Sequence, residues 1–262
     1  MDKVKPKKAL GQHFLTDESI AHRIASTVDS NPLLPIVEVG PGMGMLTKYL
    51  LEAGRNLTVV ELDTESVAFL RNNYPKLDGH IVEGDFLKLD LRQFANDEGQ
   101  LAVIGNYPYN ISSQIFFHVL DYKDSVTLCS GMLQREVAER LAAAPGTKTR
   151  GILSVLLQAW YDVEYLFTVS ENVFNPPPKV KSGVIKMTRN AVTDLGCDER
   201  LFKTVVKTTF GQRRKTIRNS LKPLIPPGVP LPDHPLMGQR PEQLSVAEFI
   251  ELTNLITNLR SQ

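Results

Sequence analysis

The residues Asn106-Tyr107-Pro108-Tyr109-Asn110-Ile111 follow directly on an apolar run that begins at Leu101. Their types suit a planar amine. Proline removes one backbone N–H and biases Tyr107 toward an extended conformation, so the Tyr107 carbonyl can point into a cleft instead of entering a helix. The amide oxygen of Asn106 adds a second acceptor. Together they can grip the two hydrogens of an exocyclic amino group, while Tyr109 offers a π-face to a base swung out of its stack. A proline turn with a capping asparagine uses the same residues, and on the hexapeptide alone the two readings stand level.

Upstream, Ile36-Val37-Glu38-Val39-Gly40-Pro41-Gly42-Met43-Gly44 reads as a strand, a glycine-rich turn and the start of a helix, the place where doubly wound folds bind nucleotides. The run departs from G-x-G-x-x-G, because position 45 is Met and the third glycine comes one residue early. A dinucleotide needs its pyrophosphate on the helix N-terminus, whereas S-adenosylmethionine has no phosphate and asks only for close backbone approach. Glu61, at the end of Val59-Val60-Glu61, can accept both hydroxyls of a ribose, and Asp63 suits a helix N-cap. Asp85, in Gly84-Asp85-Phe86, can accept from an adenine amino group beside the Phe86 ring. Each carboxylate alone reads equally as a cap or a surface residue. Strand ends carrying Gly, Glu and Asp together point to a nucleoside cofactor.

To place those strand ends side by side, short apolar runs alternate with helical periodicity through the first 190 residues, which predicts a parallel sheet covered by helices on both faces. Strands are expected over 36–39, 57–62, 80–83, 101–104, 126–128, 163–167 and 180–187. Helices are expected over 45–53, 65–74, 113–120, 135–143 and 152–160. After Arg189 the pattern changes: 190–198 is polar, and from Glu199 onward the segments read as helices interrupted by the proline-rich stretch 223–235. The expected organisation is an α/β domain over 1–190 with a basic N-terminal arm, then a small all-helical domain over 191–262.

With 262 residues, 42% hydrophobic and 23% charged, the chain has the composition of a globular protein, and disorder is excluded as the default. A formal charge of +1 leaves the class of partner to the distribution of charge. Cys129 and Cys197 form no CxxC, so neither a disulfide framework nor a metal site is expected, and reduced thiols suit the cytoplasm. No signal peptide and no apolar run of about 18 residues is present, so no membrane partner is expected. From Phe202 to Lys222 there is no acidic residue, yet Lys203, Lys207, Arg213, Arg214, Lys215, Arg218 and Lys222 are present. With Lys3, Lys5, Lys7 and Lys8 and the pair Lys179 and Lys181, they can track a phosphate backbone. A solvated helix face is the ordinary reading of a charge run, but such faces usually mix signs. Arg135 has Glu136 beside it and reads as structural.

Leu10-Gly11-Gln12-His13-Phe14-Leu15, Val39-Gly40-Pro41-Gly42, Glu61-Leu62-Asp63, Gly84-Asp85, Asn106 to Ser112, Phe174-Asn175-Pro176-Pro177-Pro178-Lys179-Val180 and Gln212-Arg213-Arg214-Lys215-Thr216 occur in this order. On these segments the chain resembles, over nearly its whole length, the small-subunit (16S) ribosomal RNA adenine N6,N6-dimethyltransferase family. The resemblance implies a Rossmann-like methyltransferase domain with a mostly parallel sheet of seven strands and a helical C-terminal domain. It implies S-adenosylmethionine as methyl donor, with S-adenosylhomocysteine as product. It also implies two adjacent adenosines in a hairpin near the 3′ end of small-subunit ribosomal RNA as targets, methylated on a pre-30S particle by a monomeric enzyme.

Carried over residue by residue, the family's cofactor contacts fall on His13, Leu15, Gly40, Glu61, Asp85 and Asn106, with Gly42 in the same turn. Where many members have Asn, this chain has His13, which can still hydrogen-bond. Where the motif usually reads Asn-Leu-Pro-Tyr, it has Tyr107, a position expected to act through its carbonyl. The resemblance implies acceptor roles for Asn106 and Tyr107 beside Pro108, and an adenine sandwiched between Tyr109 and Phe174, although Phe174 also reads as a core aromatic. Lys179, Arg213, Arg214, Lys215 and Arg218 are the expected RNA contacts, and no catalytic base is expected. The rival readings are a large-subunit RNA methyltransferase of the macrolide-resistance type, a DNA adenine methyltransferase, a ribosome-assembly factor and an NAD-dependent dehydrogenase. The segments around Phe174 and Arg213 favour the small-subunit enzyme over the first two.

Overall fold

The computed structural model describes residues 4–7 and 10–261, so Lys3 and Lys8 of the basic arm lie outside the described residues. The chain forms two compact units, one of Met1–Ala138 with Asp162–Arg189, the other of Glu139–Tyr161 with Asn190–Gln262.

In the first unit the elements run β1 (Phe14–Leu15), α1 (Glu18–Ala25), β2 (Ile36–Val39), α2 (Thr47–Glu52), β3 (Leu57–Glu61), α3 (Thr64–Asn73) and β4 (Ile81–Glu83). They continue with β5 (Leu101–Asn106), α4 (Ser112–Asp121), β6 (Val126–Gln134) and α5 (Arg135–Leu141), along which the chain leaves the unit. It returns with β7 (Tyr161–Val169), β8 (Phe174–Asn175) and β9 (Ser182–Arg189). The seven-stranded sheet has the order β4-β3-β2-β5-β6-β9-β7. Its pairs from β4 through β6 are parallel and β9 is antiparallel to β6, the mostly parallel sheet that the family resemblance implies. All of β2 and the first five residues of β5 are buried, as expected of parallel strands covered on both faces.

From β2 the chain winds outward through β3 and β4, then crosses back to β5 and proceeds the other way to β6. The switch point therefore lies between β2 and β5, and a crevice opens beyond their carboxyl ends. Gly40 leaves β2 there and Asn106 ends β5. Asp63 caps α3, accepting from Glu65 N at 3.4 Å, so the chain turns sharply after β3 and keeps the Glu61 carboxylate at the same crevice.

Two features depart from the sequence expectation. Strand β6 runs on through Ser130 and Gly131 to Gln134, because the buried Ser130 hydroxyl donates to the Ile185 carbonyl at 2.8 Å and Gly131 stands opposite Gly105. The two-residue strands β1 and β8 pair antiparallel, Phe14 with Asn175 and Leu15 with Phe174, and are too short to carry any periodicity.

The second unit is helical, with α6 (Ile152–Gln158), α7 (Glu199–Gly211), α8 (Ile217–Ser220) and α9 (Val246–Arg260). A single cut after residue 190 separates 139–161 from it, and the structure places that segment inside. Arg150 shows why. Its side chain is fully buried, donating from Nε to the Leu244 carbonyl at 3.2 Å and from Nη1 to the Ala143 carbonyl and Gln158 Oε1 at 2.6 and 2.7 Å. A guanidinium so desolvated needs those acceptors, and they tie 143–158 to the start of α9. No described helix is long and apolar enough to cross a membrane.

Candidate active site

At the switch point lies a cavity of about 350 Å³. His13, Leu15, Gly40, Gly42, Glu61, Asp85, Asn106, Tyr107, Pro108 and Tyr109 all line it. The floor is the turn after β2. Gly42 has φ +56, and a Cβ there would stand 2.9 Å from Cε1 of Phe14, so glycine lets the turn and the N-terminal segment close on each other. Gly42 N donates to Glu61 Oε2 at 3.0 Å and Asp63 N to Oε1 at 2.9 Å. Each carboxylate oxygen keeps a second lone pair for a neighbouring diol.

Burial raises the Glu61 carboxyl against the pull of those N–H donors. Glu38, on β2, is 1% exposed and lines the same cavity. Burial, opposed by the Thr47 hydroxyl at 2.7 Å and helped by Glu61, pushes it to about 8. At neutral pH Glu38 is therefore protonated. Burial works to raise the Asp63 carboxyl as well, but hydrogen bonds from Lys7, Gln12 and Ser66 more than reverse it and hold the group below its usual range.

At the other wall Asn106 Nδ2 donates to the His13 carbonyl at 3.1 Å, and its Oδ1 has no hydrogen bond among the described residues. A carbonyl only accepts, so the amide must present its oxygen away from His13. Tyr107 N donates to the Met132 carbonyl at 2.8 Å, and its own carbonyl accepts no hydrogen bond among the described turns and loops. The Tyr107 side chain points the other way, 1% exposed, with its hydroxyl donating to the Ser130 carbonyl at 2.7 Å and its ring edge-on to Phe116. It seats the motif from beneath. The Tyr109 ring lies 5.4 Å from that of His13, and its hydroxyl is hydrogen-bonded to Ser182.

The charge on the wall decides what can bind. Glu61 and Asp85 line the cavity together with the protonated Glu38, and neither Lys nor Arg does among the described residues. Carboxylates without a balancing Lys or Arg suit a positively charged ligand better than an anionic one. The lining is chemically compatible with a nucleoside bearing a sulfonium and an ammonium: Glu61 and Asp85 offer carboxylate acceptors, Phe86 and the 54% exposed Leu62 apolar surface, and Gly40 and Gly42 accessible backbone. Asp85 also caps the turn that follows it, accepting from Leu87 N at 3.0 Å.

The profile of the ribosomal RNA adenine dimethylase family matches residues 3–258. The chain belongs to this dimethylase family. It is 69% identical over 252 residues to ribosomal RNA small subunit methyltransferase A of Parabacteroides distasonis, spanning 95% of this chain and 93% of that protein. It is 63% identical over 256 residues to the protein of the same name from Phocaeicola vulgatus, spanning 98% and 91%. Among solved structures, a dimethyladenosine transferase from Plasmodium falciparum has a TM-score of 0.77 at 20% identity over 95% of this chain and 98% of that one, which shows a shared fold. The 23S rRNA methyltransferase ErmE has a TM-score of 0.67 at 27% identity, over 91% and 99%. As a family member this chain is an adenine dimethyltransferase of ribosomal RNA.

One expected site residue of this dimethylase, Phe174, stands away from the cavity. Phe174 is 5% exposed, belongs to the core cluster that includes Leu15, Met132, Val169 and Val184, and does not line the cavity. Its pairing with Leu15 in the small sheet turns the ring inward, so Tyr109 is the aromatic face presented. Arg213, in the helical unit, donates to the Lys148 carbonyl and lies 3.8 Å from Glu242 Oε2, so it is engaged within the unit. Lys179, Arg214, Lys215 and Arg218 are exposed. Glu38 was not singled out by sequence, although a carboxylate inside the apolar run Ile36–Val39 is a signal that such a strand ends at a site.

Proposed function

We propose that the protein transfers methyl groups from S-adenosylmethionine to the N6 amino groups of two adjacent adenosines in the 3′-terminal hairpin of small-subunit ribosomal RNA, acting as a cytoplasmic monomer on pre-30S particles. The observation that supports this reading is the Asn106 amide, whose Nδ2 is held by the His13 carbonyl so that its oxygen must face away from His13, in a residue that lines the cavity together with Tyr107. Two acceptors, the Asn106 amide oxygen and the Tyr107 carbonyl, match the two hydrogens of an exocyclic amine.

When bound, the cofactor supplies an electrophilic methyl group. Asn106 and Tyr107 accept from N6–H, which draws the nitrogen lone pair out of conjugation with the purine and aims it at the methyl carbon. As the N–C bond forms and the S–C bond breaks, the nitrogen becomes cationic and sheds a proton to solvent. Holding the reactants in line is worth about 7 kcal/mol or more, which makes alignment the main contribution of the site. Tyr109 adds a base stack of about 1–3 kcal/mol. No carboxylate of the cavity is needed as a base: Glu38 is protonated, and Glu61 and Asp85 would hold the ribose and adenine of the cofactor. In the second transfer the monomethylated amine has one hydrogen left, so one acceptor is used and the other side must admit a methyl group.

The deciding experiment incubates the protein with methyl-labelled S-adenosylmethionine and under-methylated small subunits, then digests the RNA. Label in dimethyladenosine is expected. Label in another base, or none, rejects the reading.

A further inference from the structure

The segment Gln12–Thr16 touches both sides of the site and is fastened more heavily than wall-forming requires. Toward the interior, its His13 carbonyl takes the Asn106 Nδ2 hydrogen. Away from the cavity, His13 Nδ1 lies 2.8 Å from the Pro176 carbonyl and must donate to it, because that oxygen can only accept. Beyond His13, Phe14 and Leu15 pair with Asn175 and Phe174, and Thr16 donates from N and Oγ1 to the Val173 carbonyl at 2.8 and 2.9 Å. Before it, Gln12 donates to Asp63 Oδ2 at 3.3 Å and accepts from Lys7 N at 2.8 Å. The strap is therefore held at residues 12, 13, 14–15 and 16, with the carbonyl that meets Asn106 in the middle.

An asparagine amide left to itself offers a donor face as readily as an acceptor face. A donor turned toward an amine would meet N–H with N–H. We propose that His13 is a positioning residue for the methyl-transfer step: its main-chain carbonyl selects the Asn106 orientation that presents Oδ1, and its imidazole, anchored on Pro176, keeps that carbonyl in place. This rests on the adenine-methylating reading above. It assigns to the strap a duty toward the acceptor amine separate from any contact with the cofactor.

The test compares full-length His13→Ala and His13→Asn with wild type in three measurements: S-adenosylhomocysteine affinity by calorimetry, single-turnover methylation of under-methylated small subunits at saturating cofactor, and exchange of the Asn106 side-chain NH2 by NMR without RNA. For His13→Ala the single-turnover rate at saturating cofactor falls about tenfold or more, whatever change in affinity accompanies it, and the Asn106 NH2 exchanges faster. His13→Asn, which retains a donor for Pro176, recovers most of the rate. Thr16→Val lies off the cavity wall, removes one clasp bond, and lowers the rate in the same direction to a smaller extent. Unchanged single-turnover rates in both His13→Ala and Thr16→Val overturn the inference, as does a His13→Ala loss that vanishes once cofactor is saturating. An inactive wild type would instead sink the proposed reaction itself.

Discussion

Glu38 and Glu61 share one cavity, and burial raises both carboxyls, Glu38 to about 8. Glu61 receives two backbone N–H groups, which favour its charged form, whereas Glu38 has a single hydroxyl and near-complete burial. Keeping Glu38 neutral removes a like charge from beside Glu61. The folded state holds the Glu38 proton up to about 8, while an unfolded chain releases it near 4.5. Stability from this group is therefore complete below the unfolded value and is lost as pH rises through about 8. Glu38→Gln, which still accepts from Thr47, should remove that loss, so that the variant gains on wild type between pH 5 and 8.5 in urea unfolding; parallel pH profiles for the two proteins would refute the assignment. Asn106 gives the complementary case. On the proposed mechanism Asn106→Ala takes away an acceptor for N6–H that strengthens as the nitrogen attacks, so turnover should fall at least about 100-fold while S-adenosylhomocysteine binding is largely spared.

The acceptor motif is carried by strands packed too closely for side chains between them. Gly105 on β5 stands opposite Gly131 on β6, and the Tyr107 ring lies over both. A Cβ on Gly131 would come within 2.2 Å of the Gly105 carbonyl oxygen and 2.6 Å of the Tyr107 ring. Gly131→Ala should therefore cost about 1–3 kcal/mol of stability and, by lifting Tyr107, reduce methyl transfer more than cofactor binding. Thermal unfolding and single-turnover assays separate the two effects. None of this was legible in the chain, where Ser130-Gly131 looks like the end of a strand. What was legible had strong local signals: the apolar runs of β2 and β5, the glycine turn, and the carboxylates closing β3 and β4. The rest depends on pairing between distant segments. The strap against β8, the inward turn of Phe174 and the seat beneath Tyr107 arise from contacts spanning 22 to 163 residues, and no periodicity encodes them. Glu38 is intermediate, visible as a misplaced charge but without a role until Thr47 and Glu61 are seen beside it.

Across the whole chain, a net charge of +1 conceals a separation of sign. The cavity wall is acidic and has no Lys or Arg among the described residues, which suits a cationic cofactor and disfavours phosphate. Exposed cations lie elsewhere, Lys179 and Lys181 in the first unit and Arg214, Lys215 and Arg218 in the second. Within the helical unit they are not equivalent. Arg213 is occupied by Glu242 and the Lys148 carbonyl, and Arg218 lies 3.7 Å from Asp233, whereas Arg214 and Lys215 have no ion pair among the described residues. Phosphate contacts release counterions, so the cations that touch RNA are the ones that set its salt dependence. Arg214→Glu with Lys215→Glu should weaken binding to small-subunit RNA and lower the slope of log affinity against log salt by about one unit per cation. S-adenosylhomocysteine affinity should not change, because neither residue lines the cavity. Arg213→Ala should behave differently, lowering the melting temperature through loss of its hold on 148 and 242 with a smaller change in salt slope. Equal slopes for the double variant and wild type would show that RNA is held by other cations, and a larger slope change for Arg213→Ala would reverse the ranking.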